Sequence, residues 1–326
     1  MNEKRPASRR LQGWATYGEE PLGCQTEKLH VVGRRSPEPG IPASMKAFDK
    51  KARLRRDKRG DRRGPAARDH NARDHSPRDQ PDGPLRLYGV HAVEAALGNP
   101  KRKVLRLLAT ENAELRLKDA ITARKISVER ASPRDLDHIL GADTVHQGLM
   151  LETKELPEPT VAEFSELAMT GGPLVILDHV TDPHNVGAVL RSAAAFGASG
   201  IVMTRRHSPP LNGTLAKSAS GALELVPVLL VQNLARTMSE FKDQGIRIIG
   251  LDGEATAALE DEPFTGPTAV VLGAEGKGLR ELTLETCDRL VRISTEGALA
   301  SLNVSNAAAV TLHLAAIRRH AARSQK

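Results

Sequence analysis

The chain has 326 residues, of which 40% are hydrophobic and 2% aromatic, and its formal net charge at pH 7 is +7. At about 100–200 residues per domain this length predicts about two domains, and the scarcity of aromatic side chains predicts an aliphatic core. The sequence has neither a run of about 18 apolar residues, which a membrane-spanning helix needs, nor an apolar leader, so we expect a cytoplasmic protein.

Residues 1–84 carry the positive charge. They hold 20 Lys and Arg against 12 Asp and Glu, a net charge of +8, which leaves 27 of the 47 basic and 28 of the 40 acidic residues to the rest of the chain. The segment lacks hydrophobic periodicity and is rich in Pro, Gly and charge, which predicts a disordered basic extension. We expect either an arm that contacts RNA phosphates or a solvated spacer, and Met45 is a candidate alternative start.

Residues 85–152 alternate between strand-like and helix-like patterns and predict a small α/β domain. Strands are expected near 104–109, 126–129 and 145–151, after a strand that enters a helix at 87–97. One helix is expected at 112–124, and a second begins at Ser132-Pro133, where serine suits the cap and proline the first turn. Residues 153–172, with Pro157, Pro159 and Gly171-Gly172 around one short helix, predict a linker.

Residues 173–326 repeat the strand–helix alternation on a larger scale. Strands are predicted at 174–177, 200–203, 226–231, 246–251, 269–272 and 290–293, and helices at 186–196, 213–221, 233–244, 278–287 and 304–320. Short apolar strands between helices are typical of a mostly parallel sheet that is covered on both faces.

Three polar segments interrupt this apolar domain at the predicted ends of strands. They are DPHNVGAVLRS at 182–192, LGAEGKGL at 272–279 and ASLNVSNAAA at 300–309. In the first, we expect Asp182-Pro183 to form a turn and Asn185 to cap the following helix. Because ligands of open α/β sheets bind at the carboxyl ends of strands, the three segments predict one common site.

In this order and with these residues, the segments resemble the SpoU (TrmH) family of RNA ribose 2′-O-methyltransferases. The resemblance implies S-adenosylmethionine as cofactor, a deep trefoil knot in the C-terminal domain and a homodimer. The stretches YGVHAV at 88–93 and HQG at 146–148 resemble the family's RNA-binding domain that precedes the catalytic one. Within them, His91 and His146 are candidates either for RNA contact or, more commonly, for filling a turn.

The resemblance also implies roles for individual residues. The implied catalytic residues are Asn185, Arg191, Glu275, Ser301 and Asn303. The residues whose backbone groups are implied to grip the cofactor are Gly273, Ile293 and Leu302. One position departs from the family pattern, since Ser294 stands where a proline usually follows the strand. The two cysteines, Cys24 and Cys287, lie far apart without metal-ligand spacing, so no bound metal is predicted.

Two of these roles stay open at the level of sequence. Arg191 is expected either to act on the ribose hydroxyl directly or to orient it and stabilise developing negative charge, because a guanidinium rarely gives up its proton. Glu275 is expected either to hold the substrate ribose or to order the loop of Asn185. Within the resemblance, the two-domain layout and the Asp182-Pro183-His184-Asn185 form of the first segment imply a guanosine of 23S rRNA as the target. The alternatives are a tRNA ribose and a non-catalytic RNA-binding assembly factor.

Overall fold

The computed structural model describes residues 83–297 and 302–324. Most of the predicted basic extension therefore lies outside the described residues, as does Ser301. The described ranges form two β-sheets with flanking helices, one of four strands and one of seven. None of the helices within these ranges is long and apolar enough to cross a membrane.

The first sheet belongs to a small N-terminal unit. Its elements in chain order are β1 (Leu85–Tyr88), α1 (Val90–Gly98), β2 (Val104–Ala109), α2 (Glu111–Arg116), α3 (Lys118–Arg124), β3 (Val128–Arg130), α4 (Pro133–Leu140) and β4 (Leu149–Thr153). The strand order is β1-β4-β2-β3, with β4 antiparallel to both neighbours and β3 parallel to β2. Ser132 caps α4 as expected, and its side chain accepts a hydrogen bond from the Asp135 backbone.

Two local predictions in this unit were wrong. The single helix expected at 112–124 is two helices that meet at Leu117, whose φ of −102° and ψ of 15° are not helical and whose side chain is buried. The last strand begins at Leu149 rather than at 145, because Gln147 and Gly148 form a turn in which Gln147 has a φ of 55°.

The second sheet is entirely parallel. After α5 (Val161–Thr170) its elements are β5 (Leu174–Asp178), α6 (Pro183–Phe196), β6 (Gly200–Thr204), α7 (Gly213–Ser218), β7 (Val228–Val231), α8 (Leu234–Asp243), β8 (Arg247–Leu251), β9 (Ala257–Ala258), β10 (Thr268–Gly273), α9 (Glu281–Thr286), β11 (Arg289–Arg292) and α10 (Val304–Ser324). The strand order is β7-β6-β5-β10-β8-β11-β9, and every neighbouring pair is parallel. The predicted mostly parallel α/β sheet is confirmed.

Helices cover this sheet on both faces because its central strands are apolar on both. Val175 and Leu177 of β5 share a buried cluster with residues of α6 and α10. The intervening Leu174 and Ile176 belong to a second buried cluster with residues of α5 and α8, including the fully buried Phe241. Alternate side chains of a strand point to opposite faces, so the unbroken apolar run reflects burial on both sides.

The small unit packs directly on the larger one. A β-carbon at Gly213, the first residue of α7, would lie 2.6 Å from the ring of Tyr88 and against the Arg86 carbonyl, so only glycine allows this approach. The contact is reinforced by a buried ion pair between Arg102, which precedes β2, and Glu224, which lies in a short 3-10 helix after α7. The two sheets are therefore held together by residues of both units.

Candidate active site

The order in which strands are added to the sheet reverses between β5 and β10. From β5 the chain builds outward through β6 and β7, and then crosses over to place β8, β10 and β11 on the other side. Gly273 at the end of β10 is paired with Asp178 at the end of β5. The crevice outside the carboxyl ends of two such strands is where open α/β sheets bind their ligands.

The loop after β5 enters α6 earlier than the sequence suggests. Asp182, not Asn185, caps the helix, and its Oδ1 accepts a hydrogen bond of 2.9 Å from the His184 backbone. Pro183 takes the first helical position, where its fixed φ is favourable and its missing N–H costs nothing. The expected cap at Asn185 was therefore wrong, and the Asn185 side chain, in the first turn of α6, is left to make other contacts.

Those contacts join the three polar segments. Asn185 Nδ2 donates to Glu275 Oε1 at 3.1 Å, and Asn303 Nδ2 donates to Asn185 Oδ1 at 3.0 Å. Asn303 Nδ2 also donates to Glu275 Oε1. Residues 118 positions apart in the chain therefore form one hydrogen-bonded cluster at the switch point. We call Asn185, Glu275 and Asn303 the amide–carboxylate cluster.

The start of α10 fixes the orientation of the Asn303 amide in this cluster. Its Oδ1 accepts hydrogen bonds from the Ser305 backbone at 2.8 Å and from the Ser305 hydroxyl at 2.5 Å. An oxygen that caps the helix in this way turns the NH₂ group toward Asn185 and Glu275. The helix cap and the cluster therefore depend on one side chain.

The loop after β10 is folded back tightly on its strand. A β-carbon at Gly273 would lie 2.5 Å from the Leu279 nitrogen and against the Gly278 carbonyl, and an antiparallel bridge joins Ala274 to Gly278. Gly276 and Gly278 have φ values of 76° and 63°, a region that favours glycine. This turn presents Glu275 at its exposed tip.

A buried aspartate anchors the far end of the same loop. Asp178 is fully buried, and its carboxylate accepts hydrogen bonds from the Arg280 backbone at 3.0 Å and from Arg280 Nε at 2.7 Å. Neither residue was among the predicted site residues, although an aspartate at the end of an otherwise apolar strand is a signal for such a pair. The bond ties the β10 loop to the end of β5 and so helps to set the position of Glu275.

The remaining predicted residues lie around this cluster. Arg191 is exposed on α6, and none of the ion pairs in the described ranges involves it. Ile293 follows β11 and is half-buried, whereas Leu302, next to Asn303, is 42% exposed. Ser301 falls in the short stretch that the structure does not describe.

Ser294, which stands where the resemblance leads us to expect a proline, hydrogen-bonds to Glu260. Its backbone N–H donates to Glu260 Oε1 at 3.2 Å and its hydroxyl donates to Oε2 at 3.0 Å. A proline would lack this N–H. Hydrogen bonds from its own backbone and from Ser294 hold the pKa of Glu260 below its usual value.

Two histidines at the same edge of the sheet were also missed. His179 follows Asp178 directly, and its ring stacks on that of His207 with a centroid distance of 4.7 Å. Burial, and then the charge of Arg280, lowers the pKa of His179. No group of three or more His, Cys, Asp or Glu in the part of the chain that the structure describes is placed to hold a metal.

The histidine of the N-terminal HQG stretch has a structural role. His146 Nδ1 accepts a hydrogen bond of 3.0 Å from the Gly148 backbone, and its Nε2 lies 3.0 Å from Asp137 Oδ1. The side chain is nearly buried, which confirms the turn-filling alternative for His146. His91, by contrast, is exposed on α1.

Comparisons with known proteins agree with this architecture. The family model described as SpoU rRNA Methylase family matches residues 172–313, and the model described as RNA 2'-O ribose methyltransferase substrate binding matches residues 86–159. A 23S rRNA (guanosine-2'-O-)-methyltransferase RlmB from Vibrio parahaemolyticus is 40% identical over 244 residues, which cover 73% of this chain and 98% of that protein. The RlmB of Shewanella oneidensis is 41% identical over 239 residues, which cover 72% and 97%.

Solved structures share the fold. The SpoU methyltransferase AviRb from Streptomyces viridochromogenes, in complex with the cofactor AdoMet, superposes with a TM-score of 0.62 at 24% identity, covering 73% of this chain and 92% of that chain. A putative RNA methyltransferase of the TrmH family from Porphyromonas gingivalis gives a TM-score of 0.60 at 26% identity, covering 73% and 90%.

Proposed function

The chain belongs to the SpoU rRNA methylase family, and we propose that it transfers a methyl group from S-adenosylmethionine to the ribose 2′-hydroxyl of a guanosine in 23S rRNA. The activity class follows from the family. The choice of target is supported by curated relatives at 40% and 41% identity, which carry that activity in their names and are matched over 97–98% of their length. The observation that carries the catalytic assignment is the amide–carboxylate cluster at the switch point.

The residues around this cluster fit the cofactor. An adenosine needs backbone donors and acceptors for its base and apolar surface for its ring. The β10 loop presents exposed backbone at Gly276 and Gly278, and the exposed side chain of Leu302 lies beside Asn303 of the cluster. We assign the grip on the adenosine to the backbone groups of Gly273, Ile293 and Leu302. When bound, the cofactor supplies an electrophilic methyl group on a sulfonium.

The cluster then has two tasks on the substrate side. The described contacts of Glu275 with the two asparagines both fall on Oε1, which leaves Oε2 to accept a hydrogen bond from a ribose hydroxyl. Because Asn303 is oriented by its own helix cap, this carboxylate is held in place before RNA arrives. Because groups of this kind are already in position, little free energy is spent on rearranging them when the substrate binds.

Arg191 contributes positive charge rather than a basic site. The guanidinium stays protonated because arginine does not give up its proton in proteins, and its N–H groups donate to the 2′-oxygen as that oxygen gains negative charge in the transition state. Its exposure and its lack of an ion pair among the described residues leave the side chain available to RNA. Ser301 is assigned to the same site through the family resemblance.

The proposal also covers the chain topology, the assembly and the location of the protein. We assign a trefoil knot to the C-terminal region, a homodimer to the assembly and a cytoplasmic location to the protein. The dimer is supported by α10, which leaves Val310 and Ile317 43% and 50% exposed, each about one turn from the half-buried Leu314. Basic residues before Leu85 are proposed to add phosphate contacts to RNA.

The experiment is methyl transfer from labelled S-adenosylmethionine to purified, unmodified 23S rRNA, 16S rRNA and total tRNA. We expect label in 23S rRNA alone, located at a single guanosine by reverse-transcription stops at low nucleotide concentration. Label in tRNA instead would replace the proposed target by the tRNA alternative. Cofactor binding without label in any RNA would support the non-catalytic alternative and contradict the proposal.

A further inference from the structure

A stacked pair of histidines lies at the carboxyl edge of the parallel sheet, beside the amide–carboxylate cluster. His179 directly follows β5, and His207 lies three residues after the end of β6. Their ring centroids are 4.7 Å apart and their planes are inclined by 29°. Because β5 and β6 are hydrogen-bonded neighbours, with Leu177 opposite Met203, the two loops leave the sheet side by side.

The backbone of both histidines is in the left-handed region. Their φ values are 57° and 65°. This conformation crowds the β-carbon of any residue except glycine and is uncommon for other residue types. Residues held in this region are found preferentially at functional sites, and here two of the six such non-glycine residues in the described ranges meet in one ring stack.

The surroundings of the pair suit a nucleic acid. His207 is exposed and His179 is half-buried, so the stack ends in a ring that faces solvent. Burial and the neighbouring charges of Arg280, His207 and Lys277 lower the pKa of His179, while the charge of Asp178 opposes them. Arg206 is exposed beside His207 on the same loop, and Lys277 is exposed on the loop after β10.

We propose that His179 and His207 form a stacking platform for a nucleobase of the RNA substrate next to the nucleotide whose ribose is methylated. This assignment rests on the proposed function. RNA is read largely through unstacked bases that lie on aromatic side chains, histidine included. The loop that begins at His179 leads within six residues to Asn185, so a base on the platform lies close to the reacting ribose. The exposed cations Arg206 and Lys277 supply positive charge for the adjoining phosphates.

The platform is tested by measuring the binding of short 23S rRNA fragments to the protein in the absence of cofactor. Each fragment spans the methylated guanosine and carries 2-aminopurine at one flanking position, so that stacking on a ring quenches its fluorescence. His207→Asn removes the ring and keeps a residue that tolerates the left-handed backbone. His207→Phe keeps a ring, and the chain already places Phe264 at a φ of 50°. His138→Asn, at an exposed position of α4, is the matched control.

We expect quenching at one flanking position with the wild-type protein, with His207→Phe and with His138→Asn. His207→Asn should lose it and raise the Kd for RNA and the KM of methyl transfer about tenfold, as expected for one lost base stack, while the Kd for S-adenosylmethionine is unchanged in every variant. Unchanged RNA binding by His207→Asn, or an equal loss in His207→Phe, would overturn the platform. If the wild-type protein methylates no RNA, the proposed function fails and the platform with it. Normal methylation by His207→Asn refutes the platform alone.

Discussion

The buried ion pair between the two units makes a quantitative prediction about how firmly they are joined. Arg102 Nε donates to both carboxylate oxygens of Glu224, at 3.1 and 3.2 Å, and Nη2 donates to Oε1 at 2.5 Å. Arg102 Nη1 also donates to the Lys154 carbonyl, and Asn99 donates to Glu224 Oε2 at 2.8 Å. Both charged side chains are only 2% exposed.

Removing one partner of the Arg102–Glu224 ion pair should lower the free energy of unfolding far more than removing both. Arg102→Met leaves the Glu224 carboxylate buried with Asn99 as its remaining described side-chain donor, and breaking such a pair destabilises a protein by about 3–5 kcal/mol. At about 2–4 °C per kcal/mol for a unit of this size, the melting temperature should fall by roughly 6–20 °C. In Arg102→Met/Glu224→Leu no buried charge remains at this contact, so most of the lost free energy of unfolding should be recovered.

Thermal and urea unfolding of the wild type, both single variants and the double variant complete the cycle. Arg106→Met is the matched control. Arg106 and Glu129 form a two-bonded ion pair of 2.7 and 2.6 Å within the small sheet, but both are substantially exposed, so water screens them and no measurable change is expected. The reasoning is refuted if Arg102→Met unfolds no earlier than Arg106→Met, or if the double variant loses as much as the two single variants together.

Three further predictions concern catalysis, assembly and RNA affinity. Arg191→Ala should lower kcat about 10²–10³-fold, as for other lost donors to a developing anion, with the Kd for S-adenosylmethionine within a few-fold of the wild type by calorimetry; near-normal turnover would contradict its role. Sedimentation at micromolar concentration should give about twice the 35.1 kDa chain mass, and a monomer alone would exclude the homodimer. Deleting residues 1–84 should leave cofactor binding intact and flatten the log–log salt dependence of RNA binding, by about 0.7–0.9 per lost phosphate contact; identical slopes would show that the segment does not touch RNA.

The sequence predicts the sheet well because burial leaves a local signature. Strands covered on both faces, such as 174–177 and 269–272, must be apolar throughout, and polar residues are then confined to their ends. The polar segments that follow β5 and β10 were predicted to converge for this reason. The convergence of Asn185, Glu275 and Asn303 confirms that part of the prediction.

The sequence does not reveal contacts between residues that lie far apart in the chain. Asp178 and Arg280 are 102 residues apart, and Arg102 and Glu224 are separated by 122. No local pattern shows that β5 lies next to β10, on which the first pair depends. The misplaced cap at Asn185 has a different cause, since Asp182 and Asn185 are both good cap residues and only Pro183, fixed in the first turn, decides between them.

The strand order has a consequence for how this enzyme becomes active during its synthesis. β5 pairs early with β6, but its other edge has to wait for β10, which begins 90 residues after β5 ends. Asn303 follows Asn185 by 118 residues, and at about 5–20 residues per second the ribosome needs roughly 6–24 s to add them. Until β10 is made, which takes roughly 4.5–18 s for those 90 residues at the same rate, the nascent chain exposes an unpaired parallel edge, while its N-terminal sheet is already complete. Such a chain has its RNA-binding unit before it can transfer a methyl group, and during that time the open edge of β5 is a surface that other chains can pair with.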